Sequence, residues 1–151
     1  MEPGETRYCW SVAALSQGSV SMTKRIYNIE LLFKALADNT RLRLINVIGD
    51  SEVCVCFFVA ILKTSQPKIS RHLAYLRRAG IVSARREGKW MHYRLIDPPD
   101  EHAARIFREV RAALTEHPEL QRDRDKLMQV CCATQLPVPL RRAPRPLGVA
   151  A

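Results

Sequence analysis

Ser65-Gln66-Pro67-Lys68-Ile69-Ser70-Arg71-His72-Leu73 is the stretch on which the fold turns. Ser65 has the side-chain oxygen to cap a helix, and Pro67 falls in the first turn, where a missing N–H costs little. A helix is therefore expected from here to Ala79, with Gly80 as its stop. At 3.6 residues per turn, Ile69, Leu73 and Leu76 share one stripe and can be buried. Lys68, Arg71, His72 and Tyr75 share another, flanked by Gln66 and Ser70 near the N-terminus. The second stripe carries what DNA takes: an Arg fork suits guanine, Gln suits adenine, and Ser or Lys holds the backbone. A merely solvated face looks similar, so the surroundings must decide.

The surroundings are basic. From Lys63 to Arg94, nine Lys and Arg stand against one acid, Glu87, which is nearly all of the chain's net charge of +9. A charge serving only solubility would be spread out; a stripe is an electrostatic footprint for a polyanion. Beyond Gly80, Ile81–Arg86 and Lys89–Ile96 read as two strands around Glu87-Gly88, a two-residue hairpin signal. Arg85, Arg86 and Lys89 surround that turn and are candidates to straddle phosphates or a minor-groove wall. Trp90 and Tyr93 are read mainly as packing residues.

Working toward the N-terminus, a short helix is expected over Val53–Lys63, capped by Ser51, with Thr64-Ser65 as the break. Ile29, Leu32, Phe33 and Leu36 recur at helical spacing. So do Leu42, Leu44, Ile45, Val47 and Ile48, with Asn39 or Thr40 as cap and Gly49 as the end. Toward the C-terminus, Asp97-Pro98-Pro99 breaks the strand. A helix over about Asp100–Glu116 then carries Ile106, Phe107, Val110, Ala113 and Leu114, and Pro118 opens another ending near Val130. Helices, a reading helix, a two-stranded hairpin and a closing helix define a mainly α winged helix-turn-helix. Residues 1–23 read as an extension without periodicity, a candidate for disorder, and Met22 as an alternative start. The DNA-binding domain spans 24–117, a C-terminal helix with a Cys pair spans 118–132, and 133–151 is expected to be a disordered tail.

Five cysteines cannot all pair in disulfides, and no apolar run approaches the roughly 20 residues of a membrane span. A cytoplasmic protein with free thiols and no membrane partner is expected. No Cys-x-x-Cys beside a βαβ unit, glycine-rich phosphate loop, paired-carboxylate site or supported Ser/His/Asp grouping appears, so no enzyme is expected. Cys54 and Cys56 lie just before the reading helix. Alone, the pair is open between small buried hydrophobes and reactive thiolates at a helix start. On a regular helix two residues subtend about 200°, so the sulfurs would diverge, and one ion would bridge them only by unwinding the first turn.

Leu32-Phe33-Lys34-Ala35-Leu36-Ala37-Asp38-Asn39-Thr40-Arg41-Leu42-Arg43, Cys54-Val55-Cys56, Ser65 to Leu73, and Arg86-Glu87-Gly88-Lys89-Trp90 resemble the ArsR/SmtB repressors, and within them the arsenical-sensing branch. The similarity covers about Ile29–Leu95. It implies a homodimer on palindromic double-stranded operator DNA, released when As(III) or Sb(III) binds cysteine thiolates. It also implies a dimer interface from the first and last helices, around Leu32 and Ile106. Such soft ions prefer three thiolates, but the branch's usual third Cys is Val59 here. Either two thiols suffice, as for a monosubstituted organoarsenical, or Cys131 and Cys132 contribute, as a third ligand or as a second site; they read equally as incidental thiols. Cys9 lies in the N-terminal extension. The family's zinc site matches only in part: Asp100, His102 and Glu116 are in place, but the second His position is Ala113, so zinc is not expected. Two further readings stay open: a thiol redox-sensing repressor, and a constitutive DNA-binding protein with structural cysteines.

Overall fold

The computed structural model describes residues 26–148. The expected extension 1–23, with Met22 and Cys9, lies outside the described residues. The order is α1 (Ile29–Leu36), α2 (Asn39–Ile48), β1 (Val53–Cys54), α3 (Val55–Leu62), α4 (Gln66–Arg78), β2 (Val82–Glu87), β3 (Trp90–Leu95), α5 (Glu101–Thr115) and α6 (Pro118–Cys132), with a 3₁₀ turn at Val138–Leu140. This is the winged helix-turn-helix: α3 and α4 form the reading pair and β2–β3 the wing. Leu32, Leu44, Ile48, Phe57, Phe58, Ile69, Leu73, Leu76 and Phe107 fill one core with no exposed surface, so the stripes of α1 to α5 meet inside one chain.

Caps explain where the helices begin. Asn28 Oδ1 accepts from the Leu31 N–H at 3.1 Å, Asp38 Oδ1 from Arg41 at 2.9 Å, and Asp100 Oδ1 from Ala103 at 2.9 Å. The cap of α2 is thus Asp38, one residue before the expected Asn39 or Thr40. α6 runs two residues past the expected Val130 and includes both Cys131 and Cys132. It is fastened to α2 by the Arg43–Asp123 fork, 2.6 and 3.0 Å, and by Asn46 Nδ2 donating to the Leu120 carbonyl at 2.8 Å.

Three expectations are corrected. Cys54 is not helical: Val53-Cys54 form an edge strand, and Ser51 is buried rather than a cap. The sheet order is β1-β3-β2, with Val53 opposite Tyr93 and Cys54 opposite His92. Pairing with β3 satisfies backbone groups that would otherwise be left open at a helix start. The hairpin turn is Gly88-Lys89, one residue later than Glu87-Gly88, because Glu87 pairs with Trp90. Gly88 takes φ +57, the left-handed conformation that a two-residue hairpin of this kind asks of its first turn residue. Residues 133–148 are not a detached tail. Leu140 and Ala143 are buried in the core, and Leu147 forms an antiparallel bridge with Glu52. Single apolar anchors in a Pro-rich segment show no period, which is why composition alone read as disorder.

Candidate nucleic-acid interface and thiol pair

α3 and α4 are joined by Lys63-Thr64-Ser65, and the sharpness of that turn comes from Lys63 at φ +50. This fixes α4 with Ile69, Leu73 and Leu76 buried, so its opposite stripe faces out. Gln66, Lys68 and Arg71 are exposed there, and Ser70 is half-buried beside them. Arg77 is exposed too, farther along the helix. This end of α4 can offer donors to base edges and phosphates.

Not every expected contact residue is free to serve. His72 is turned inward, its Nδ1 3.5 Å from Asp38 Oδ1. Burial holds its pKa below the usual histidine range; Asp38 opposes this, while Arg41, Lys68 and Arg71 add to it. Tyr75 is half-buried, with the Arg41 guanidinium 4.5 Å and that of Arg78 5.9 Å from its ring centroid. Arg41 also donates to the Ala35 carbonyl at 2.6 Å and the Lys34 carbonyl at 2.7 Å. Tyr75 and His72 therefore join α4 to the start of α2 more than they project from it.

On the wing, Arg85 is held by two acids, Glu52 Oε1 at 2.6 Å and Glu87 Oε2 at 2.8 Å. These pairs brace the wing while the Arg85 side chain stays 48% exposed. Arg86 is exposed, with Nε donating to the Gly88 carbonyl at 3.0 Å, and Lys89 lies 5.1 Å over the Trp90 ring. These two cations stay at the wing tip. Glu52 was missed by sequence reasoning. The Arg85 hydrogen bond holds its carboxyl below the usual range, against burial. Beside it His92 is buried, and neither ring nitrogen has a hydrogen-bond partner; Glu52 Oε1 is 3.8 Å from Nδ1 and Glu87 Oε2 is 4.0 Å from Nε2.

The thiols contradict the diverging geometry. Cys54 is extended at the cap position of α3, with φ −71 and ψ 144, and Cys56 lies in the first turn. A kink between strand and helix replaces the helical 200°, and the two sulfurs come within 2.7 Å of each other. The Cys56 S–H beside it pulls the Cys54 thiol down to about 7; burial opposes this, and the N–H groups of Cys56, Val55 and Met91 assist. Donating to Cys54, and burial, push the Cys56 thiol up. Cys54 thus titrates near neutral pH, and no unwinding of α3 is needed to bring the sulfurs together. Cys54 is fully buried and Cys56 half-buried.

Cys131 is half-buried and Cys132 exposed; burial first, then the Cys132 charge, raises the Cys131 thiol. Among the described residues, no three His, Cys, Asp or Glu side chains gather to hold a metal. Within one chain, then, Cys131 and Cys132 do not join Cys54 and Cys56. Asp100, the first residue of the partial zinc pattern, has its carboxylate engaged as the α5 cap.

A two-helix reader with a basic wing defines a class, the winged helix-turn-helix DNA-binding regulators. The family model described as "Bacterial regulatory protein, arsR family" matches residues 38–84. The arsenical resistance operon repressor of Escherichia coli K12 is 49% identical over 79 residues, covering 52% of this chain and 68% of that protein. An arsenic resistance transcriptional regulator of Pseudomonas putida KT2440 is 51% identical over 73 residues, covering 48% of this chain. This chain spans 57% of that regulator's length. A solved homodimeric winged helix-turn-helix domain from Mycobacterium bovis, a possible ArsR-family regulator, is 31% identical. It covers 60% of this chain and 82% of its own, with TM-score 0.48. The chain belongs to the ArsR family; it is a DNA-binding transcriptional repressor and not an enzyme. Among the described residues no helix is long and apolar enough to cross a membrane.

Proposed function

We propose that this repressor binds operator DNA as a homodimer and is released when As(III) or Sb(III) is captured by Cys54 and Cys56. The observation that carries the reading is the sulfur–sulfur approach of 2.7 Å on the element directly before the reading helix. Two adjacent sulfurs, one of them thiolate near neutral pH, suit a soft trivalent ion better than any oxygen-seeking cation. Two donors leave room for a third thiolate from a partner subunit or for a carbon substituent on the arsenic. Capture would spread the sulfurs and reset the β1–α3 junction. Because α3 packs on α4, that change would reach the DNA-facing stripe.

DNA contact in this reading comes from Gln66, Lys68, Ser70 and Arg71 of α4, with Arg86 and Lys89 of the wing. His72, Tyr75 and Arg85 hold these elements in place. The dimer face would use Ile29 and Phe33, 40% and 53% exposed on α1, with Ile106 and Val110 on α5. Leu32 is buried in its own chain's core and is not part of it. Cys131 and Cys132 are proposed as a second thiol site. The same sulfur contact favours a second reading, oxidation of Cys54 and Cys56 to a disulfide with DNA release.

Fluorescence anisotropy of the reduced protein on its own upstream DNA tests this, titrated with As(III), Sb(III), methylarsenite or Zn(II). Release by arsenicals under reducing conditions supports the metalloid reading. Release only by an oxidant, and reversed by dithiothreitol, supports the redox one.

A further inference from the structure

We propose that residues 133–148 form a strap that restrains the junction of β1 and α3, which carries Cys54 and Cys56, and that buried Cys54 opens to reagents more readily when the strap lifts. The inference rests on that pair being the sensing site. The strap begins immediately after Cys132 and returns across the body. Leu140 and Ala143 are buried, and the 3₁₀ turn that carries Leu140 packs on α3, the helix that holds Cys56. At its far end the Leu147 N–H donates to the Glu52 carbonyl at 3.0 Å, and the Glu52 N–H donates to the Leu147 carbonyl at 2.9 Å. The strap is thus fastened to α3 and to Glu52, two residues before Cys54.

Its fastenings are light. Val138 and Leu147 are 72% and 60% exposed, and one hydrogen bond, Arg145 Nη2 to the Ala133 carbonyl at 3.2 Å, closes the segment on its own root. Leu140, Ala143 and Pro146 are its buried residues, and a segment with so few buried anchors opens without global unfolding. Gly148 shows how closely the end is seated. At φ +83 it lies against the Asp50–Ser51 turn, where an added Cβ would stand 3.4 Å from the Asp50 carbonyl oxygen.

Glu52 gives the strap a reach beyond the thiols. Its backbone holds the strap, its carboxylate holds Arg85 of the wing, and it stands in the segment that leads into Cys54. Lifting the strap removes one of the restraints on Glu52, and through Arg85 on the wing. An ion at Cys54 and Cys56 and a closed strap therefore compete for one junction, and the competition is felt where DNA is held.

The test is alkylation of the reduced full-length protein by iodoacetamide, with labelling at each cysteine followed by peptide mass spectrometry. Leu147→Pro removes the N–H donated to Glu52, and Gly148→Ala strains the seated end. Leu147→Pro is expected to speed labelling of Cys54 about five- to tenfold, the effect of losing one hydrogen bond from a closed state, and Gly148→Ala to speed it in the same direction. Exposed Cys132 should keep its rate, and the melting temperature of at least one variant should stay at the wild-type value. Unchanged Cys54 labelling in both variants would overturn the strap. The assay contains no arsenic, so a failed strap leaves arsenic-driven DNA release intact, and a protein that ignores arsenic still reports its strap.

Discussion

Cys54 and Cys56 divide one proton's work between them. The Cys56 S–H is the main cause of the lowered Cys54 pKa, so Cys54 is the acid whose thiolate forms first, near pH 7. Alkylation of Cys54 should climb with pH, pass half its maximum near pH 7 and level above about pH 8.5. In Cys56→Ala the donor stabilising that thiolate is gone, so the inflection should move toward the ordinary thiol range of about 8.5; a profile that stays put would contradict the pairing. The same scale separates the arginines. Arg71 stands exposed on α4, whereas Arg85 is engaged by Glu52 and Glu87. Arg71→Ala should cost specific DNA binding about 1–3 kcal/mol. Arg85→Ala should cost less than that in affinity measured side by side by anisotropy.

At the scale of elements, the turn between α3 and α4 depends on Lys63 in a left-handed conformation. Lysine bears the Cβ cost of that conformation and glycine does not, so Lys63→Gly should raise stability by about 0.5–1 kcal/mol in urea unfolding. An unchanged midpoint would mean that the turn is not fixed there. The reading helix was legible from sequence because its evidence is local: Ile69, Leu73 and Leu76 at helical spacing, Pro67 in the first turn, Gly80 at the end. β1 was not legible. What makes Val53-Cys54 a strand is Tyr93 and His92 on β3, far along the chain, and two residues carry no period of their own. The cost of that miss fell on the site, since it turned converging sulfurs into diverging ones. The inward turn of His72 and the bracing of Arg85 were hidden for the same reason. Asp38 and Glu52, which hold them, belong to other elements.

For the whole molecule, the basic stripe, the single core and the unpaired apolar side chains on α1 and α5 fit two copies placed side by side on a palindrome. Phe33 is half-exposed and contributes little to its own chain's core, so Phe33→Asp should leave the monomer folded and weaken the dimer about thirtyfold, as a central aromatic anchor does. Sedimentation of the variant as a dimer at low micromolar concentration would move the interface elsewhere. The C-terminal segment shows the limit of composition as a guide at this scale. Four prolines hide the fact that Leu140 finds the core and Leu147 finds Glu52. Operator affinity of the Cys54→Ser/Cys56→Ser protein with and without As(III) shows whether these two thiols couple arsenic to DNA. Wild-type affinity is expected in both conditions, against release of the wild type by As(III). Release of the double variant at the wild-type arsenic concentration would contradict it.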